Sequence, residues 1–178
     1  MCAVSRLVKA KDPEAVTVFI GPCVAKKQEA AEGKEGTADF ALTYGEIRAI
    51  LKAKNVELQP EENQEQQASV YGKRFANAGG VTKAVLRCME EMGQPTDKLQ
   101  VMECNGAADC KKALMLLKMG RLPADFIEGM ACEGGCVGGP SSHMAIAGFQ
   151  KERNAQIAQA DDRGIHENLA HYDSVVMH

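Results

Sequence analysis

Four short apolar runs alternate with helix-forming segments along this chain, and that alternation limits its fold more than any other feature. The runs are Ala15-Val16-Thr17-Val18-Phe19-Ile20, Thr37-Ala38-Asp39-Phe40-Ala41-Leu42, Leu99-Gln100-Val101-Met102-Glu103-Cys104 and Ala124-Asp125-Phe126-Ile127-Glu128-Gly129-Met130. Each is short and mostly apolar, and Gly, Pro or Asp punctuates the chain around them, the pattern of strands. No two-residue hairpin turn joins one run to the next. Strands separated by helices return in the same direction, so they build a parallel sheet with right-handed crossovers. The expected fold is α/β: a mainly parallel sheet of about four strands flanked by helices. Residues 1–178 are expected to form a single domain, with a helix tail or linker-like start over 1–12 and an irregular tail over 161–178.

Local signals place the helices. Val24 to Ala30 is rich in helix formers and predicts a short helix. Thr43 with Glu46 fits a capping box ahead of an apolar face of Ile47, Ile50 and Leu51. Gly79-Gly80 precedes a helix from Val81 to about Met92, with the stripe Val81, Val85, Met89, Met92 and Cys88 beside it. Asn105-Gly106 is a turn, followed by a helix from Ala107 to Met119 that carries Ala113, Leu114 and Leu117 and stops at Gly120. Ser141 or Ser142 is expected to cap a surface helix running to about Ala160. Residues 59–68 hold almost nothing to bury and read as a solvated loop, and Tyr172, Val175, Val176 and Met177 are candidates to dock the tail.

Composition excludes several function classes. The net charge of −3 leaves no basic surface to advertise nucleic acid. No apolar run approaches the ~18 residues of a membrane span. The N-terminus, Met1-Cys2-Ala3-Val4-Ser5-Arg6, lacks the layout of a secretion signal, which points to a cytoplasmic protein. Seven cysteines are many for such a chain. Their odd number and irregular spacing argue against a disulfide framework, leaving metal binding or redox chemistry as the better use.

The sulfur-rich stretch is Glu128-Gly129-Met130-Ala131-Cys132-Glu133-Gly134-Gly135-Cys136-Val137-Gly138-Gly139-Pro140. Two thiols four residues apart form a soft-metal donor pair, and the glycines let backbone amides approach whatever the sulfurs hold. The preceding run reads as a buried strand, so the thiols emerge at its carboxyl end, where open α/β sheets place their sites. Two small packing residues, or a disulfide one helical turn apart, are the alternatives. Cys23 likewise follows a strand, read as central, and opens a helix beside Lys26, a setting that favours thiolate. If the strands ending at Ile20 and Met130 are neighbours, Cys23, Cys132 and Cys136 converge. Cys104 and Cys110 form a C-x5-C pair that matches no zinc pattern and is read as packing. His143, His166, His171 and His178 show no paired spacing and are read as surface residues.

Ile20-Gly21-Pro22-Cys23-Val24-Ala25-Lys26-Lys27-Gln28-Glu29 resembles the second signature of the iron-only ([FeFe]) hydrogenase large subunit, a Pro-Cys-x-x-Lys element. Glu128-x-Met130-x-Cys132-x-x-Gly135-Cys136-x-x-Gly139 resembles its third. Ala78-Gly79-Gly80-Val81 with the following helix, and the ending from Asn168 to His178, also look like the family, so the resemblance covers nearly the whole chain. It implies one lobe of a two-lobed catalytic domain around a [4Fe-4S] cubane bridged to a diiron subcluster, together the H-cluster, with CO and CN ligands. Carried over, Cys23 and Cys132 ligate the cubane and Cys136 bridges it to the diiron unit. Lys26 donates to a cyanide ligand and Met130 packs beside the diiron unit. The implied activity of the intact protein is 2H⁺ + 2e⁻ ⇌ H₂. A hydrogenase-like iron–sulfur protein serving in cluster assembly or sensing is the second reading, and a thiol-redox domain using Cys132 and Cys136 the third.

Three departures from the family pattern stand out. The first signature, with the fourth cubane cysteine, is absent, as are ferredoxin-like cysteine clusters. Gly21 stands where many members carry Met, and Pro140-Ser141-Ser142 replaces a common Gly-Gly-Gln. The chain thus looks like the C-terminal portion of the large subunit, expected to carry no intact catalytic cluster and to be inactive when isolated. The implied partners are the N-terminal lobe and a ferredoxin-type electron donor, with a homodimer covering apolar surface left by the missing lobe.

Overall fold

The computed structural model describes residues 1–59 and 68–170. In chain order its elements are α1 (Cys2–Lys11), β1 (Val18–Ile20), α2 (Ala25–Ala31), β2 (Phe40–Leu42), α3 (Tyr44–Ala53), α4 (Val70–Lys73), α5 (Gly80–Glu91), β3 (Val101–Asn105), α6 (Ala107–Lys118), β4 (Phe126–Met130), α7 (Ile146–Ala158) and α8 (Ile165–Leu169). Most of the expected solvated loop, over 60–67, lies outside the described residues. So do His171, His178 and the docking expected of Tyr172, Val175, Val176 and Met177.

The α/β class and the parallel strand direction are as the sequence predicts. The strands form two parallel pairs: β1 with β2, in register Val18↔Phe40 to Ile20↔Leu42, and β3 with β4, from Val101↔Phe126 to Asn105↔Met130. The strand leading to Cys23 therefore has β2 as its ladder neighbour, and the strand leading to Cys132 has β3. β1 is not the central strand expected, because one partner covers only one edge; Val18 and Ile20 stay 45% and 46% exposed. The described residues fall into two compact units, one of 1–59 with 139–143, the other of 68–138 with 144–170.

In the first unit, Cys2–Lys11 is a regular helix rather than a linker. It is docked by polar atoms. Ser5, on its buried side, has its Oγ 2.9 Å from Thr17 Oγ1 and 3.0 Å from the Thr37 carbonyl. The Thr17 amide and hydroxyl both donate to Asp39 Oδ2, and Lys9 of α1 closes on Asp39 Oδ1 at 2.6 Å. Those donors hold the Asp39 carboxyl well below the usual carboxylate range, with Lys9 the largest influence. The capping box of α3 forms as predicted: the Glu46 amide donates to Thr43 Oγ1, and the Thr43 amide donates back to Glu46 Oε2 at 2.8 Å.

The second unit is organised around a buried acid. Glu128 of β4 is 4% exposed, and its carboxylate accepts from the Gly79 amide at 3.0 Å, the Thr82 amide at 2.9 Å and the Thr82 hydroxyl at 2.6 Å. The two amides are orphan donors of the α5 N-terminus, where helix-dipole charge favours an anion. The close approach explains which face of α5 is deepest. Gly80, Thr82 and Ala84 are buried, whereas Met92 of the predicted stripe is 60% exposed. At Gly80 a Cβ would stand 1.8 Å from the Arg74 carbonyl, so no side chain fits there. Of the predicted α6 face, Ala113 is buried but Leu114 and Leu117 are exposed. α7 starts later than expected. Ser142 donates its amide to the Gly139 carbonyl and Ser141 to that of Pro22, so both belong to a turn and the helix begins without a side-chain cap. It is a surface helix as predicted, with Ile157 its buried residue. The tail read as irregular contains α8, whose first amides, Ile165 and His166, donate to Glu91.

Two outcomes test this account. Glu128→Ala should lower stability by about 3 kcal/mol in urea titration, since it strands buried donors, with Glu128→Gln milder; a change within ~0.5 kcal/mol for Ala, the range of a surface substitution, would refute the capping role. The second concerns acid. Lys27 and the Thr43 amide pull the Glu46 carboxyl down to about 2 from an ordinary 4.5. A lowered folded value means the cap contributes fully above pH 4.5 and is lost as pH falls through about 2. Amide exchange at Thr43 should therefore accelerate across that window, and Glu46→Gln should remove the pH dependence.

Candidate metal centre

The thiol loop leaves the carboxyl end of β4, as the sequence predicts. Its shape comes from backbone. The Gly106 amide extends the β3–β4 ladder by donating to the Met130 carbonyl at 2.7 Å, and the Gly134 amide donates to Asn105 Oδ1 at 2.6 Å. The chain then tightens through Gly135 N–H to the Cys132 carbonyl, 3.1 Å, and Gly138 N–H to the Gly135 carbonyl, 3.0 Å. Gly135 has φ +86°, and a Cβ on it would meet the Ala76 carbonyl at 2.3 Å, so both conformation and space demand glycine. Val137 is buried as the anchor of the loop, while Cys132 is half-buried and Cys136 exposed. Met130, half-buried, closes β4 opposite Asn105.

In the first unit, Gly21 continues the β1–β2 pairing through its amide to the Leu42 carbonyl, 3.1 Å. The Phe19 ring occupies the space a side chain at 21 would need, its Cζ 2.8 Å from the Cβ position. The departure at Gly21 thus has a local counterpart: a neighbouring aromatic fills the gap. Cys23 is half-buried just ahead of α2. One turn on, the Lys26 ammonium is clasped by Glu29, whose other oxygen accepts from Cys2 Sγ at 3.3 Å. The Glu29 hydrogen bond raises the Lys26 pKa above its ordinary value, with smaller help from Cys23 and Cys2. Lys26 is therefore a cation at any physiological pH.

All seven cysteines are thiols outside disulfides. Cys23 and Lys26 lie in the first unit; Met130, Cys132 and Cys136 lie in the second. Among the described residues no group of three or more His, Cys, Asp or Glu is arranged to hold a metal ion. The donors nevertheless suit an iron–sulfur group in kind, as two thiols, one half-buried and one exposed, on one glycine-fixed loop. The sequence read Asn105 only as part of a turn and assigned no structural task to Glu29, Cys2 or Glu128. The last had a legible signal, an acid inside an apolar strand, since buried carboxylates occur almost only with partners.

Comparison with known proteins agrees. A family model described as iron only hydrogenase large subunit, C-terminal domain, matches residues 1–140. The NADP-reducing hydrogenase subunit HndD of Solidesulfovibrio fructosivorans is 27% identical over 186 residues, covering 84% of this chain and 32% of its own length. Iron hydrogenase 1 of Clostridium pasteurianum is 26% identical over 205 residues, covering 89% and 36%. The chain thus spans about a third of the length of these curated relatives. In fold it is similar to a solved variant of the [FeFe]-hydrogenase HydA1 of Chlamydomonas reinhardtii, with a TM-score of 0.66 at 20% identity, covering 97% of this chain and 63% of that one. Two signatures in order, a thiol loop at a strand end and a match over most of the chain place it in the family defined by the C-terminal domain of the iron-only hydrogenase large subunit.

Proposed function

We propose that this chain supplies Cys23, Cys132 and Cys136 to the H-cluster of an iron-only hydrogenase, which in its intact form interconverts protons and H₂. The observation that carries the reading is the glycine-fixed loop that presents Cys132 and Cys136 beyond the end of β4. When bound, the cubane and diiron subcluster supply the electron storage and the proton-reducing iron. The chain's own residues hold and surround that group. Cys132 and Cys23, both half-buried, are the cubane ligands of the proposal, and exposed Cys136 is the bridging thiol. Lys26, a permanent cation, is the donor to an anionic ligand, shared with Glu29. Met130, half-buried at the end of β4, is the residue of the proposal that would pack beside the diiron unit.

The N-terminal lobe of the same polypeptide, a ferredoxin-type electron donor, a homodimer of the chain and a cytoplasmic location belong to the same proposal. Among the described residues no helix is long and apolar enough to cross a membrane. A second reading, an iron–sulfur protein without hydrogenase activity, is favoured by one feature: the Lys26 charge is already matched by Glu29.

Anaerobic reconstitution with iron and sulfide tests the ligand set. The full-length protein should bind a cubane that Cys23→Ser, Cys132→Ser and Cys136→Ser each diminish, read by iron content and electron paramagnetic resonance. Unchanged loading in all three variants would overturn the assignment. Infrared bands of metal-bound CO and CN in the matured full-length protein separate the two readings, since only the hydrogenase has them. The 178-residue chain alone is expected to evolve no H₂; turnover by it would refute the need for a second lobe.

A further inference from the structure

The second unit holds another pair of thiols, beside the strand that leads into the glycine loop. Cys104 is 3% exposed on β3, and its ladder partner is Gly129 of β4. Directly paired residues of a parallel ladder present side chains to the same face, with strands about 4.8 Å apart. Gly129 has no side chain, and Cys110 Sγ of α6 lies over it, 3.5 Å from where a Cβ would stand. The sulfur above Gly129 thus lies on the face that carries Cys104, close enough for Cys110 to act on the Cys104 thiol. The chain path makes the meeting local. Cys104 nearly ends β3, Asn105-Gly106 turns, and Cys110 closes the first turn of α6 by donating its amide to the Gly106 carbonyl at 3.2 Å.

Their surroundings divide the labour. Burial, with Cys110 and Asp109 adding to it, pushes the Cys104 thiol pKa up. Cys110 is half-buried and opens on a surface hollow of about 450 Å³ lined by Ala107, Lys111, Leu114, Met115, Lys118 and Ala131. No His, Cys, Asp or Glu among the described residues completes a three-ligand metal group with them. The two lysines favour an anionic reagent at the mouth.

We propose that Cys104 and Cys110 form a dithiol redox site that closes to a reversible disulfide by exchange with an anionic low-molecular-weight disulfide. The Cys110 thiolate attacks one sulfur of the reagent; its S–S bond breaks, a mixed disulfide forms and one thiolate leaves. Cys104 then gives up its proton and displaces the second thiolate, forming the Cys104–Cys110 bond. In sum, two protein thiols and one small disulfide become one protein disulfide and two small thiols. Two electrons pass from the cysteine sulfurs to the reagent, and excess small thiol reverses the reaction. The site lies one residue from Asn105, which holds the Gly134 amide of the metal-centre loop.

The test uses the metal-free chain, so its outcome is independent of whether an H-cluster binds. The chain is incubated with glutathione disulfide, alkylated and digested with trypsin without reduction. The peptide spanning 99–111 carries both cysteines. It should lose both alkylation sites and two hydrogens, and regain them after reduced glutathione. Cys104→Ser should accumulate a stable glutathione adduct on Cys110, and Cys110→Ser should leave Cys104 unmodified. Should either variant fail to fold, the native chain decides alone: Cys110 should alkylate faster than Cys104. A fully alkylated 99–111 peptide after oxidation, a disulfide confined to Cys132 and Cys136, or an adduct on Cys104 in Cys110→Ser would each overturn the proposal.

Discussion

The second unit depends on a carboxylate where a strand would ordinarily carry an apolar side chain. Leaving Glu128 buried without donors would be far costlier than any packing gain around it. Three donors, two of them amides at the start of α5, answer that charge, so β4 and α5 are fixed together. The segment leading into α5 is then held where Gly135 closes against it, with the Ala76 carbonyl in the space a Cβ would take. The geometry of the thiol loop is in this sense inherited. It rests on the carboxylate behind it, on Asn105 beside it and on Val137 beneath it, more than on the cysteines it carries.

The first unit solves its packing problem differently. Its small core is largely polar: Ser5, Thr17 and Thr37 are buried alongside Ala38. Hydroxyls substitute for bulk, and Asp39 gathers the remaining donors. Such a core cements α1 to the strands through directional bonds, which a cluster of apolar contacts does not supply. It also leaves apolar residues of the strands outside it, including Phe40 at 59% exposure.

The cysteines show how environment, and not residue type, sets chemistry. Cys132 and Cys136 sit on a loop without bulk, accessible to a soft metal. Cys23 sits at a strand-to-helix junction beside a cation. Cys104 pairs with Gly129 in the ladder, and the Cys110 sulfur lies over that glycine. Cys2 is spent on Glu29. One count of seven thiols thus covers several separate tasks.

By itself the sequence determined the α/β class, the parallel strand direction, the α3 capping box and the strand-end position of the thiol loop, because each follows from short-range periodicity and turn chemistry. It also carried the family, because two dense motifs stand in order. Only tertiary structure decided the rest. Strand pairing rests on contacts distant in sequence, so β1 took β2 and β4 took β3. The deepest face of α5 was set by the Glu128 carboxylate, which periodicity cannot weigh. The α1 segment stayed open between helix tail and linker because its anchor is a serine, and the Ser141 amide turns to the Pro22 carbonyl, which only the fold brings near. The placement of Cys110 beside the strand of Cys104 was hidden for the same reason: their spacing says nothing, and Gly129 of another strand stands next to both in the fold.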